Sequence, residues 1–300
     1  MTRVPADEPE KSRIYADYSV RQTLGLMSEV FKEAGIQSAA ADARFLVQGI
    51  MQIDAADLLR DPEHLVGSKS QALTDALQRR LKLEPVSRIL GTREFYGRPF
   101  AVTPDVLDPR PDTECLIDLV FDIIRSDVDL QYRLKIADIG TGSGAIIVTL
   151  LAELPYARGV ATDISPPAIE VARRNAARLG VNDRLTLINT RGLSGVNVAA
   201  NVIVSNPPYI RSGDIPALDV DVRDYDPHLA LDGGTDGLAV YREIAKDVSK
   251  IDSVSWVILE IGAGQLADVE EIFVSIGGAT QHRRVDLGGH IRCVAFQIHR

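Results

Sequence analysis

Two hydrophobic periods divide the chain. From Ser19 the apolar residues Leu24, Met27, Phe31 and Ala34 recur at helical spacing, and Gly35 follows as a stop. The same period predicts a second helix over residues 38–51, a short third with Asp54 as its N-cap, and a fourth on Leu73, Leu77 and Leu81 that Glu84-Pro85 ends. Residues 1–85 therefore read as a small N-terminal helical domain whose Leu and Met stripes are core. Between Arg93 and Val106 the pattern changes, because Phe95-Tyr96-Gly97-Arg98-Pro99-Phe100 sets aromatic residues around a glycine-containing turn. That predicts a β-hairpin linker within residues 86–110.

Residues 111–300 open on a helix over about 113–125, and from Leu134 short apolar runs alternate with helical patterns. Strands are predicted at 134–138, 159–163, 184–189, 202–205 and 254–260, with two more at 281–286 and 292–298. Helices fall at 145–154, after Ser165-Pro166, from Gly237 to about 248, and at 265–276. Strands alternating with helices are the signature of a doubly wound parallel sheet, an α/β class. An acidic, Asp-rich connection joins the fourth strand to Gly237.

Composition narrows the classes. A length of 300 residues is enough for two domains of ~100–200 residues each. No run approaches the ~18 apolar residues of a membrane span, and the acidic first ten residues lack a signal peptide's apolar stretch, so a cytoplasmic protein with a disordered start of about 15 residues is expected; a monomer is expected as well. Cys115 and Cys293 are too few for a disulfide framework or a zinc site and read as buried structural thiols. The five histidines show no ligand spacing, so no metal is expected. A net charge of -9 opposes a broad phosphate-binding surface and leans against a nucleic-acid substrate or a membrane surface.

Candidate chemistry gathers at the predicted strand ends, where open α/β sheets bind their ligands. Asn206-Pro207-Pro208-Tyr209 follows the apolar run Val202-Ile203-Val204. Both prolines stiffen the backbone, so the Asn206 amide oxygen and the Pro207 carbonyl form a fixed pair of acceptors, with the Tyr209 ring as a platform for a planar NH2 group. An ordinary Asn-Pro-Pro turn is the bland alternative. Earlier, Asp138-Ile139-Gly140-Thr141-Gly142-Ser143-Gly144 leads from a strand into a helix, with Asp163 closing the next strand. The spacing of Gly140, Gly142 and Ala145 also satisfies a dinucleotide fingerprint, which keeps a nicotinamide oxidoreductase open. Against it, the Asp138 carboxylate would repel a pyrophosphate and suits a cationic ligand such as S-adenosylmethionine, while Asp163 suits the ribose of either cofactor.

Taken together, the loop 138–144, Asp163 and the Asn-Pro-Pro-Tyr motif resemble a class I methyltransferase that modifies amino groups. Glu84-Pro85, Phe95-Tyr96-Gly97, Asp108-Pro109-Arg110-Pro111-Asp112-Thr113-Glu114, Ala230-Leu231-Asp232-Gly233-Gly234 and Glu260-Ile261-Gly262-Ala263-Gly264-Gln265 narrow this to a resemblance to the HemK/PrmC family of peptide chain release factor glutamine N5-methyltransferases. It implies a Rossmann-like, seven-stranded, mostly parallel sheet and S-adenosylmethionine held by Gly140, Thr141, Gly142, Ser143, Gly144, Asp163, Gly192 and Asn206. It also implies a release factor as protein partner. Asn206, Pro207 and Tyr209 would be catalytic, and with Pro208 and Arg110 would hold the substrate glutamine of a Gly-Gly-Gln loop. A methyltransferase acting on a nucleic-acid base could use the same loop. The chain departs from the family pattern at Asp108 and Asp112. It departs again at Thr190-Arg191-Gly192, where an acid and an aromatic are usual and a backbone contact to adenine is expected instead.

Overall fold

The computed structural model describes residues 12–131, 134–196, 199–286 and 288–299. The expected disordered start lies, up to residue 11, outside the described residues. The chain divides into two compact units, Met1–Gly91 and Thr92–Arg300.

The first unit holds helices α1 (Val20–Glu33), α2 (Ala39–Met51), α3 (Ala55–Arg60), α4 (Ser70–Leu81) and α5 (Val86–Leu90). Ser19 and Gln22 form a reciprocal capping box that starts α1, and Asp54 and Asp57 form another that starts α3. Met27 and Phe31 are fully buried among Leu46, Val47, Leu73 and Leu77, whereas Ala34, also on the expected stripe, is exposed. An ion pair of 2.7 Å from Arg80 to Asp42, nearly shielded from water, ties α4 to α2. Helix α5 lies where the sequence places the start of the linker. Pro85 ends nothing further: it starts α5, while the Arg79 guanidinium pairs with Glu84 and donates to the carbonyls of Arg88 and Ile89. The unit boundary therefore falls after Gly91, and the hairpin belongs to the second unit.

That hairpin pairs β1 (Thr92–Phe95) with β2 (Arg98–Ala101), turning at Tyr96 and Gly97. Both have positive φ, 51° and 69°, as a two-residue turn matching strand twist demands. Phe95 and Phe100 meet edge to face and are buried in the main core. After α6 (Glu114–Ser126) come β3 (Lys135–Ile139), α7 (Ala145–Glu153), β4 (Arg158–Asp163), α8 (Pro166–Arg178), β5 (Leu185–Asn189) and β6 (Val202–Ser205). The acidic connection contains two one-turn helices that its composition does not announce, α9 (Val220–Arg223) and α10 (His228–Leu231). Then follow α11 (Ala239–Val248), β7 (Trp256–Glu260), α12 (Leu266–Val274), β8 (Gly278–Val285) and β9 (Ile291–Ile298).

The seven-stranded sheet runs β5-β4-β3-β6-β7-β9-β8, parallel except for β9, which is antiparallel to both its neighbours. Alternate residues feed two cores. Val202, Val204, Trp256 and Ile258 face α6 and α7 in one hydrophobic cluster, while Ile203, Val257 and Leu259 face α11 and α12 in the other. Strand order reverses between β3 and β6, so the crevice beyond their carboxyl ends is the topological switch point. A disulfide joins Cys115 on α6 to Cys293 on β9. This corrects the expectation of two separate thiols: 178 residues apart in sequence, they meet because α6 packs across β9.

Candidate active site

The glycine-rich loop leaves β3 and is held from below. The amides of Gly140 and Thr141 both donate to the Thr162 carbonyl at 2.9 Å, Gly142 donates to Asp163 Oδ2 at 2.8 Å, and Gly144 donates to the Thr141 carbonyl at 2.8 Å. Four of the donors that a pyrophosphate would need are therefore already engaged. The third glycine serves packing. At Gly144, with φ +80°, a Cβ would lie 3.2 Å from the Ala172 methyl, so glycine lets α7 start against α8.

Two carboxylates lie beneath and beside this loop. Asp138 is fully buried; its Oδ2 accepts from Thr141 Oγ1 at 2.7 Å and its Oδ1 has no hydrogen-bond partner among the described residues. Burial, aided by the nearby charge of Asp163 and opposed by the Thr141 hydroxyl, pushes its carboxyl up to about 7. Asp163 is also raised by burial, against the amides of Ser165 and Gly142 that favour its charged form.

A cavity of about 250 Å³ opens above the loop. Gly140, Thr141, Gly142, Ser143, Asp163, Gly192, Asn206, Pro207, Pro208 and Arg110 all line it, bringing together positions spread over nearly a hundred residues of sequence. Its apolar walls include Phe95, Leu107, Ile146, Ile164 and Ile244. Thr190, Arg191 and Gly192 form one end, where Arg191 pairs with Glu243 at 2.6 Å. Gly192 has φ +57°, and a Cβ there would collide with the Asp247 carboxylate, which accepts the Leu193 amide at 2.8 Å. This wall offers backbone and aliphatic surface.

Two expected site residues stand outside the lining, Gly144 and Tyr209. Gly144 is committed to the helix contact described above. Tyr209 turns toward β7, where its ring edge neighbours Gly262 and packs with the second core, and burial beside Glu260 pushes its hydroxyl up to about 12. The Tyr209 ring is thus partly buried against the second core beside the loop that carries Asn206 and Pro207.

Two residues to which the sequence assigns no site role, Thr113 on the cavity wall and Glu260 buried beyond it, are linked to Asn206. Its Nδ2 donates to Thr113 Oγ1 at 3.1 Å, and Thr113 Oγ1 donates to Glu260 Oε2 at 2.6 Å. Both stand in stretches that carry the family resemblance, 108–114 and 260–265, but neither stretch signals that the two side chains meet. Arg110 Nη2 meets Asp226 Oδ2 at 2.5 Å, and the Asp226 side chain is 1% exposed. The acidic connection is thus anchored at its buried Asp226 and is not uniformly solvated.

The PrmC N-terminal domain family model matches residues 22–91, and the methyltransferase small domain model matches residues 117–220. The hMettl16 catalytic domain in complex with MAT2A 3'UTR hairpin 6 shares the fold, with a TM-score of 0.59 at 17% identity over 72% of this chain and 82% of that one. Release factor glutamine methyltransferase of Cereibacter sphaeroides is 42% identical over 88% of this chain and 93% of its own. The protein of the same name from Agrobacterium fabrum is 38% identical over 94% of this chain and 98% of its own. With whole-length relatives at this identity and both family domains in sequence order, the chain belongs to the release factor glutamine methyltransferase family.

Proposed function

We propose that this chain transfers a methyl group from S-adenosylmethionine to the side-chain amide nitrogen, N5, of the glutamine in the Gly-Gly-Gln loop of a peptide chain release factor. The observation that carries the reading is that Asn206 and Pro207 line the same cavity as the glycine loop and Asp163, at the sheet's switch point. The residues present fit the cofactor. Loop amides are spent internally, which disfavours a phosphate ligand, and a buried carboxylate with one unpartnered oxygen lies beneath the loop, which favours a cation. Asp163 beside Gly142 would hold the ribose, and the backbone wall at 190–192 would border the adenine.

When bound, the cofactor supplies a sulfonium methyl open to in-line displacement. An amide nitrogen is a weak nucleophile because its lone pair is delocalised into the carbonyl. The Asn206 Oδ1 and the Pro207 carbonyl accept its two hydrogens and hold the nitrogen in one orientation, so the residues act by positioning and by placing negative dipoles where positive charge develops. Phe95, Leu107 and Ile146 keep that region apolar and exclude water. The net charge of -9 favours a protein acceptor over a nucleic-acid one.

The test is mass spectrometry of a release factor incubated with the protein and methyl donor, with Asn206→Ala alongside. A methyl on the loop glutamine is expected, with turnover in Asn206→Ala reduced ~10²–10³-fold, as for loss of one preorganised polar contact. Methylation of another residue, or methylation that persists when the glutamine is changed to glutamate, would refute the reading.

A further inference from the structure

At the cavity wall, three polar groups from distant parts of the second unit form a directed chain: Thr113 and Asn206 line the cavity, and Glu260 is buried behind them. Glu260 ends β7 and is 2% exposed; Thr113 precedes α6 and is 4% exposed; Asn206 follows β6. A hydroxyl carries one proton. Thr113 gives that proton to Glu260 Oε2 at 2.6 Å, so toward Asn206 its oxygen can only accept, and it accepts from Nδ2 at 3.1 Å. The NH2 end of the Asn206 amide is thereby turned to Thr113, which leaves the Oδ1 end for the cavity that Asn206 lines.

We infer that Glu260 and Thr113 are positioning residues for the methyl transfer: the carboxylate orders the hydroxyl, the hydroxyl orders the Asn206 amide, and the amide oxygen is thereby presented to the N–H of the acceptor. The inference rests on the function proposed above. Reversal of the chain explains why its direction matters. A protonated Glu260 can donate to Thr113, the hydroxyl is then free to donate to Asn206 Oδ1, and the flipped amide offers NH2 to the substrate's own NH2. Donor then faces donor.

The surroundings place this reversal within reach. Burial pushes the Glu260 carboxyl up to about 7, and Asp112 raises it further; the Thr113 hydroxyl, the Arg292 guanidinium of β9 and the Tyr209 hydroxyl pull the other way. Arg292 is itself paired with Asp286 at 2.8 Å, and Tyr241 of α11 donates to the Glu260 backbone carbonyl and not to the carboxylate. Ionised Glu260 is the working form, so kcat should rise with pH through about 7 and level off above it.

The experiment measures kcat and KM for release-factor methylation from about pH 6 to about pH 9, with calorimetric binding of S-adenosylhomocysteine and melting temperature for each variant. Thr113→Val should lower kcat by about 10²-fold with cofactor affinity unchanged, and Thr113→Ser should restore it to within a few fold. Glu260→Gln, which cannot ionise but can still accept from Thr113, should lose the acid limb of the profile. Wild-type kcat in Thr113→Val, no rescue by Thr113→Ser, or an acid limb in Glu260→Gln unchanged in position and depth from the wild type, to which Asp138 can also contribute, would each overturn the positioning role while leaving the proposed function standing. Loss of folding in Glu260→Gln, read from its melting, leaves the threonine pair to decide. A wild-type protein that binds cofactor but leaves the glutamine unmodified would overturn both.

Discussion

At Asp163 a single carboxylate has two tasks. It accepts the Gly142 amide at 2.8 Å and the Ser165 amide at 2.9 Å, and it lines the cavity with its remaining acceptor capacity. Asp163→Ala should therefore weaken cofactor binding by ~1–3 kcal/mol in calorimetry, both by removing charged hydrogen bonds and by loosening the loop. Tight binding of NAD with no response to S-adenosylhomocysteine would contradict the assignment. Asp163 and the glycines were legible as residues, because a strand, a glycine turn and a helix follow one another in sequence. Glu260 and Thr113 were legible only as members of motif stretches and not as partners, since their hydrogen bond exists only where β7 and the start of α6 converge.

Among elements, the segment Asp108–Glu114 and the acidic connection define each other. Arg110 pairs with the buried Asp226, and the Asp108 amide donates to the same carboxylate at 3.3 Å. Both Arg110 and the neighbouring Pro227 line the cavity, so this tie sets one of its walls. Arg110→Ala removes the guanidinium from a carboxylate shielded from water. We expect a loss of about 1–3 kcal/mol of stability, faster hydrogen exchange across residues 214–232, and a raised KM for the release factor. Unchanged exchange in that span would show that the connection is held by other contacts. Composition marks this connection only as acidic; the partner that buries Asp226 lies 116 residues away in sequence, beyond any local rule.

For the molecule as a whole, each unit has its own hydrophobic core. The described core of the first runs from Ile14 to Leu77, and those of the second draw on residues from Phe95 onward. The disulfide and every cavity-lining residue also belong to the second unit. The chain from Thr92 to the end should therefore fold alone and bind S-adenosylhomocysteine with near-native affinity. We expect it to methylate an intact release factor poorly, since no described residue of the helical unit lines the cavity and its role is read as partner recognition. Loss of cofactor binding would instead make the first unit structural, and full activity on the intact factor would remove its recognition role.

By themselves, the residues in order determined the succession of helices and strands, the helical front part, the strand ends that carry the chemistry and the family they resemble. Those are local or nearly local properties: hydrophobic period, capping residues, prolines and glycines act over a few positions. Only the tertiary structure decided that Cys115 meets Cys293, that Asp226 is buried against Arg110, and that Thr113 and Glu260 join Asn206 in one hydrogen-bonded chain. These follow from sheet order and register. The antiparallel return of β9 places Cys293 opposite Glu260, and the side-by-side pairing of β6 with β7 brings the end of one strand's chemistry to the other. Side-chain burial and partner choice depend on such long-range adjacency, so they enter only when the chain has closed on itself.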